Sequence, residues 1–269
     1  MSVRGSVRGP AGAAQYGGYA PRQRRWWVRL IRIVIGVVVV VTCVSLAAFG
    51  GLMLVTPSVG NAQQIARDQA ASHDVAYPGP PLSGRFTAAL LATEDHRFYS
   101  EPGIDPFAVG KAAIGAVIHT GDPGGATLYQ QLAKLLYTPG QTDGFRVEAE
   151  SLPLAVKLRY SYTGPQILTM YADVVYFGNG FWGQQAASCG YFGVEPADLS
   201  WPQAAMLAGL VNGPSLDDPL TNPVNGMARE QHVINRLVAD DVLTPAQASQ
   251  ARAVSLQAML AHHGQACGA

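Results

Sequence analysis

A run of 23 residues without one charge, IVIGVVVVVTCVSLAAFGGLMLV at positions 33–55, constrains this chain more than any other feature. At about 1.5 Å rise per residue, a helix of that length crosses the ~30 Å of bilayer hydrocarbon with some tilt. A cleaved signal peptide is the plainer alternative, and small residues such as Ala48 and Gly50 would suit its cleavage site. The run is longer than the ~7–15 apolar residues usual for a signal core, so its length favours a retained anchor.

Charge supports that reading. Residues 1–55 hold no Asp or Glu but seven arginines, four of them at Arg24, Arg25, Arg29 and Arg32 just ahead of the run. Beyond residue 55, eleven basic residues face all 18 acids, so a formal net charge of zero conceals a basic tail and a body of net −7. The positive-inside rule then places the N-terminus in the cytoplasm and the body outside, with Trp26 and Trp27 at the interface. Residues 1–21, rich in Gly, Ala and Arg, are expected to be disordered.

Of the three cysteines, Cys43 lies inside the run, whereas Cys189 and Cys267 would face an oxidising exterior where a disulfide is allowed. Their spacing does not establish that they meet. No Cys-x-x-Cys occurs, and the six histidines show no metal-ligand spacing. Residues 56–84, with Pro57, Pro78, Pro80 and Pro81, read as a linker carrying one short helix near residues 62–71. From Arg85 onward apolar residues recur at three and four, with breaks at Gly and Pro. Ser200-Trp-Pro-Gln203 and Thr244-Pro-Ala-Gln247 have the form of capping boxes, and Thr163 with Pro165 is a weaker helix start. The pattern predicts a mostly α body: tail 1–32, transmembrane helix 33–55, linker 56–84, domain 85–250 and C-terminal tail 251–269.

Inside the stretch LLATEDHRFYSEPGID, at 90–105, one residue is out of place. Phe86, Leu90, Glu94 and Phe98 are spaced four apart and share one face of a helix, so Glu94 interrupts an apolar stripe. A carboxylate in an apolar wall is a usable general base near neutral pH. The plainer reading is a structural ion pair with Arg97. A second stretch, GDPGGATLYQQLAK at 121–134, opens a glycine-rich turn into a helix whose flank carries Thr127, Gln130, Gln131 and Lys134. Helix-start amides, amide side chains and a cation suit an anion or a sugar. A third, FRVEAE, sets Arg146 and Glu150 at i and i+4, which is also the spacing of a solvated helix pair.

Together these stretches resemble glycosyltransferase family 51, the peptidoglycan polymerases that use lipid II and the transglycosylase domain of class A penicillin-binding proteins. The resemblance covers about residues 81–244. Glu94, Asp95, Phe98, Gly103 and Asp105 match the first family motif; Gly124, Gly125, Thr127, Gln130, Gln131, Leu132 and Lys134 match the second. Arg146 and Glu150 are half of the third, and Ile167, Leu168 and Tyr171 remain of the fourth. VYFGNGFWGQQAASCGYFG and AAMLAGLVNGPS resemble the segments that follow, and Arg229 with Val233 and Ile234 resembles the fifth. Both degenerate motifs are marked by departures. Val147 stands for a Lys with Glu148 beside it, Gly164 for Lys and Asp173 for Asn; elsewhere Glu101 stands for His and Ala126 for Ser.

The resemblance implies a lysozyme-like two-lobed glycosyltransferase domain in the bacterial cell membrane, single-pass. It implies catalysis by Glu94 as base with Glu150 as second carboxylate. Asp95, Phe98, Gly125, Thr127, Gln130, Gln131, Lys134 and Arg146 would bind substrate. Apolar residues within 107–137 would dip into the bilayer. The resemblance makes no cofactor certain; a divalent cation (Mg or Mn) is the one addition that a pyrophosphate leaving group invites. Expected partners are lipid II, the nascent glycan strand, membrane lipid and cell-wall synthesis proteins, with no nucleic acid. No Ser-x-x-Lys surrounds Lys111, Lys134 or Lys157, so a monofunctional enzyme is expected. Two rivals stand beside it. A catalytically degenerate relative would bind lipid II or glycan and scaffold cell-wall synthesis, as the altered third and fourth motifs favour. A lysozyme-like hydrolase would need a two-carboxylate arrangement, and the retained Gly-Gly-x-Thr-x-x-Gln-Gln argues against it.

Overall fold

The computed structural model describes residues 24–105, 126–140 and 144–265, together with Gly5 and Cys267. The composition-based expectation of disorder over residues 1–21 concerns residues outside these, Gly5 apart, as do Gly124, Gly125 and most of the stretch expected to dip into the bilayer. The first unit is the N-terminal helix α1, Arg24–Val55, which begins within the expected tail and carries the apolar stretch Trp26–Val55. It is long and apolar enough to cross a membrane.

The body is mostly helical, as the three-and-four pattern predicts, with no β-strand among the described residues and one isolated bridge between Tyr176 and Trp182. Its helices are α2 (Ala62–Ser72), α3 (Gly84–Glu94), α4 (Leu128–Tyr137), α5 (Phe145–Ser161), α6 (Gly164–Val174), α7 (Gly183–Phe192), α8 (Trp201–Leu210), α9 (Pro223–Ala239), α10 (Pro245–Arg252) and α11 (Leu256–Met259). Local chemistry sets several starts. Thr127/Gln130, Thr163/Gln166, Ser200/Gln203 and Thr244/Gln247 each form a reciprocal capping box. Each box satisfies amides that a helix start leaves without partners. Apolar α8 is buried from Ala204 to Leu210, and α3 and α9 pack against it.

Two boundaries differ from the sequence reading. Residues 56–84 are packed: Val59, Ala62, Ala66 and Ala70 are all buried, and small side chains at a spacing of four let α2 lie close on its neighbours. Lys157 of α5 donates from Nζ to the carbonyls of Thr56 (2.7 Å) and Pro57 (3.1 Å), and Tyr162 donates to the Val59 carbonyl at 2.8 Å. Pro and Gly content suggested a linker, but these bonds fix the segment to the body. The C-terminal residues are likewise no free tail. Met259 is buried, and Cys267 is disulfide-bonded to Cys189 with a Cα–Cα distance of 5.2 Å. Closing a loop of 78 residues contributes about 4–5 kcal/mol in the chain-entropy account.

The turn after α3 depends on one glycine. Gly103 has φ +92°, and a Cβ there would lie 2.6 Å from the Ala155 carbonyl oxygen. That carbonyl belongs to α5, so the turn is pressed onto it. Gly103→Ala is expected to destabilise the body by about 1–3 kcal/mol from backbone strain alone, with more from displacing Ala155. Chemical denaturation of the purified chain measures it; an unchanged midpoint would show that the turn relaxes freely.

Candidate active site

Helix α3 ends at Glu94 itself. Asp95 leaves the helix with φ −159° and ψ 71°, so Asp95 and Phe98 do not continue it as the four-residue spacing suggested. The break gives the two carboxylates different surroundings. The Glu94 side chain is 7% exposed. Its Oε1 accepts from Arg229 Nη2 of α9 at 3.1 Å, and its Oε2 accepts from Gln131 Nε2 of α4 at 3.1 Å. The ion pair with Arg97 is not made; Arg97 pairs with Asp105. The apolar wall is correspondingly incomplete, because a guanidinium and an amide close over the carboxylate.

Gln131 is oriented in turn. The Tyr171 hydroxyl donates to Gln131 Oε1 at 2.7 Å. Full burial, with the Glu94 charge nearby, pushes that phenol well above its ordinary 10.0. The tyrosine is therefore a donor, the amide oxygen must face it, and the amide nitrogen must face Glu94. Gln131, Lys134 and Tyr171 line a cavity of about 370 Å³ together with Gln69, His73 and Trp182. His73 stacks on Trp182 at 3.8 Å between ring centroids, and Tyr176 lies against the same indole at 4.8 Å. Nothing in the spacing of Arg229 ties it to Glu94; the tertiary fold does.

Four residues expected to bind substrate are buried and have partners within the scaffold. Phe98 is 1% exposed and stacks on Tyr129 at 4.6 Å. Thr127 and Gln130 are buried, with the threonine hydroxyl donating to the Gly103 carbonyl (2.7 Å) and accepting from Gln130 N (3.2 Å). Asp95 Oδ2 accepts from Leu128 N at 2.9 Å and so serves the start of α4. Each polar side chain among them thus has at least one partner within the protein, as buried polar groups require. Gly125 lies outside the described residues. Lys134 lines the cavity, and its ammonium pairs with Glu148. On exposed faces of α5, Arg146 Nε donates to Glu150 Oε1 at 2.7 Å.

A family model described as transglycosylase matches residues 62–238. The chain belongs to the transglycosylase family. That bears out the resemblance to glycosyltransferase family 51. Penicillin-binding protein 2a of Streptococcus pneumoniae is 37% identical over 179 residues, 66% of this chain and 24% of that protein. Penicillin-binding protein 1A of Neisseria flavescens is 36% identical over 164 residues, 61% of this chain and 20% of that one. The chain thus spans a quarter or less of the length of these curated relatives. A 2.6 Å crystal structure of penicillin-binding protein 1A from Haemophilus influenzae aligns with TM-score 0.33 and 22% identity, over 48% of this chain and 16% of that one. That likeness is too slight to argue from.

Glu101, Asp173 and Gly164 are each tied into the packing of this transglycosylase domain. Glu101 is buried beside Asp95. Desolvation first, then the Asp95 charge and a hydrogen bond to it, push Glu101 up to about 8, and burial raises Asp95 as well. Glu101 therefore carries the proton that the two carboxyls share near neutrality. Asp173 accepts from Gly79 N at 2.9 Å, and burial pushes it up to about 6. At Gly164 a Cβ would come within 2.8 Å of the Tyr99 ring, which leaves no room for a side chain. Cys189, Glu195 and Cys267 form the one metal-like grouping among the described residues, but both thiols are spent in the disulfide.

Because Glu101 binds its proton more tightly folded than unfolded, folding takes up a proton between its ordinary 4.5 and about 8. Its stabilising contribution is complete below pH 4.5 and is lost as pH rises to 8. Asp173 and Glu230, the latter pushed up to about 7 by burial, steepen the same fall. Glu101→Gln keeps a donor for Asp95 and cannot ionise. It is expected to flatten the decline and raise Tm at pH 8, by about 2–4 °C per kcal/mol recovered. Thermal unfolding followed by circular dichroism from pH 4 to 9 checks this, and parallel curves for the two proteins would refute it.

Proposed function

We propose that the chain is a membrane-anchored peptidoglycan glycosyltransferase that polymerises lipid II into β-1,4 glycan strands. The carrying observation is Glu94, held between Arg229 and Gln131, the second of which lines the cavity. Each carboxylate oxygen accepts one bond from the protein, and an ionised carboxylate has acceptor capacity to spare. Glu94 is the general base and takes the proton from the 4-hydroxyl of the acceptor sugar. That oxygen attacks the anomeric carbon of the donor from the face opposite the leaving group, so configuration inverts. The bond to the polyprenyl pyrophosphate breaks, and its electron pair leaves with the phosphate oxygen. Lys134 and Arg146 stabilise the charge that develops there, and Glu150 holds Arg146 in place. Gln131 positions Glu94 and faces the sugar.

The anchor follows from the substrate. A polyprenyl chain stays in the bilayer, and α1 confines the enzyme to the same surface, with the basic tail in the cytoplasm and the catalytic domain outside. Cell-wall synthesis proteins are the natural partners of such an enzyme. One observation favours a second reading, a lipid II or glycan binder without turnover. Lys134 and Arg146 are both neutralised by carboxylates of the chain itself.

The deciding measurement is polymerisation of labelled lipid II by the detergent-solubilised chain beside Glu94→Gln. Loss of the base is expected to lower the rate by about 10²–10⁴-fold while lipid II binding persists. Binding without polymer from either protein would leave the binder standing.

A further inference from the structure

Helix α5 starts without a side-chain cap, and the acid of its first turn is Glu148. Free amides and the helix dipole favour a carboxylate there. Val147 turns into the core at 3% exposure, and one residue on, Glu148 reaches across to Lys134 of α4. The two partners differ in environment. The Lys134 side chain is 19% exposed and lines the cavity, whereas Glu148 is 52% exposed and does not. The carboxylate approaches from the solvent side and occupies the ammonium that any anion in the cavity would use.

We propose that Glu148 is a built-in competitor for the anion position at Lys134, holding the ammonium until a ligand displaces it. The proposal rests on reading the Lys134 side of the cavity as the pyrophosphate side. A tethered carboxylate competes at a high, fixed effective concentration. It lowers the apparent affinity of every anion that needs Lys134 by one factor, the fraction of time the ammonium is free. An anion with no other contact is rejected at ordinary concentrations. A diphosphate joined to a sugar and a lipid has further contacts and is retained. Because Glu148 is half exposed, it returns to water on displacement with little desolvation to overcome. Glu148 thus sets an affinity threshold that a ligand must exceed to be held at Lys134.

The test is calorimetric titration of the detergent-solubilised chain with inorganic pyrophosphate in the presence of a metal chelator. Glu148→Gln is expected to tighten binding by about three- to tenfold, the reach of one half-exposed opposing charge. The gain should shrink as salt rises, since screening weakens the competitor. Placed in a Lys134→Met background the same change should give no gain, because the two residues then share no interaction. Glu148→Ala, which lacks the amide, should match Glu148→Gln. Unchanged or weaker pyrophosphate binding in both variants, with Tm preserved, would overturn the proposal, as would a gain that survives Lys134→Met. Pyrophosphate binding needs no turnover. A chain that shows the gain yet never polymerises lipid II would therefore refute the polymerase and leave the competitor.

Discussion

A carboxylate shut into a seam between helices must find partners, and the arrangement around Glu94 follows from that requirement. Isolated burial of an ionised carboxylate is prohibitive, and removing one partner of a buried pair costs about 3–5 kcal/mol. Here α9 supplies Arg229, α4 supplies Gln131, and α6 supplies the tyrosine that orients Gln131. Arg229 also donates to the Gly209 carbonyl of α8 at 3.2 Å. One side chain at the last turn of α3 therefore draws on four other helices. The same network joins that carboxylate, through Gln131, to the wall of the cavity.

Motif polarity is divided between chemistry and construction. Asp95, Thr127 and Gln130 sit beside the site, yet their bonds run to Leu128 N, the Gly103 carbonyl and each other. They fix where α4 begins. Since Gln131 and Lys134 lie on that helix, an error of one residue in its start would rotate both by about 100°. The buried acid pair Asp95–Glu101 supports the same junction from the α3 side. Glu101 satisfies Asp95 by keeping a proton, and Arg159 holds the Glu101 carbonyl at 3.1 Å.

How much of this was legible in the sequence depended on range. Capping boxes at Ser200 and Thr244 were readable because both partners lie within four residues, and Glu94 was readable as a fault in a local stripe. Its partners were not, since Gln131 and Arg229 lie 37 and 135 positions away. Arg229 stood out only through the family resemblance, with nothing to connect it to Glu94. The end of α3 was missed because no Gly or Pro marks it; Asp95 leaves the helix to reach Leu128 N. Composition misled at residues 56–84, where four prolines suggested a linker while Ala62, Ala66 and Ala70 already had the spacing of a packed face. The meeting of Cys189 and Cys267 is a tertiary fact that no spacing reveals.

Lys134 and Arg146 are both held by ion pairs within the protein. Lys and Arg lose about 1.5–2 kcal/mol of side-chain entropy when fixed, so an unpaired cluster facing solvent would be mobile, and a ligand would have to order it. Pairing Lys134 with Glu148, and Arg146 with Glu150, orders the cations before any ligand arrives. The same carboxylates then oppose the ligand. Which effect wins turns on exposure. Glu150 is 28% exposed and shares a helix with Arg146, so it orders its cation and stays with it. Glu148, more exposed and on a different helix from Lys134, is the more easily displaced. On the proposed reading an anion binds by exchange of counter-ions, and the two acids take different parts in it because of where α5 places them.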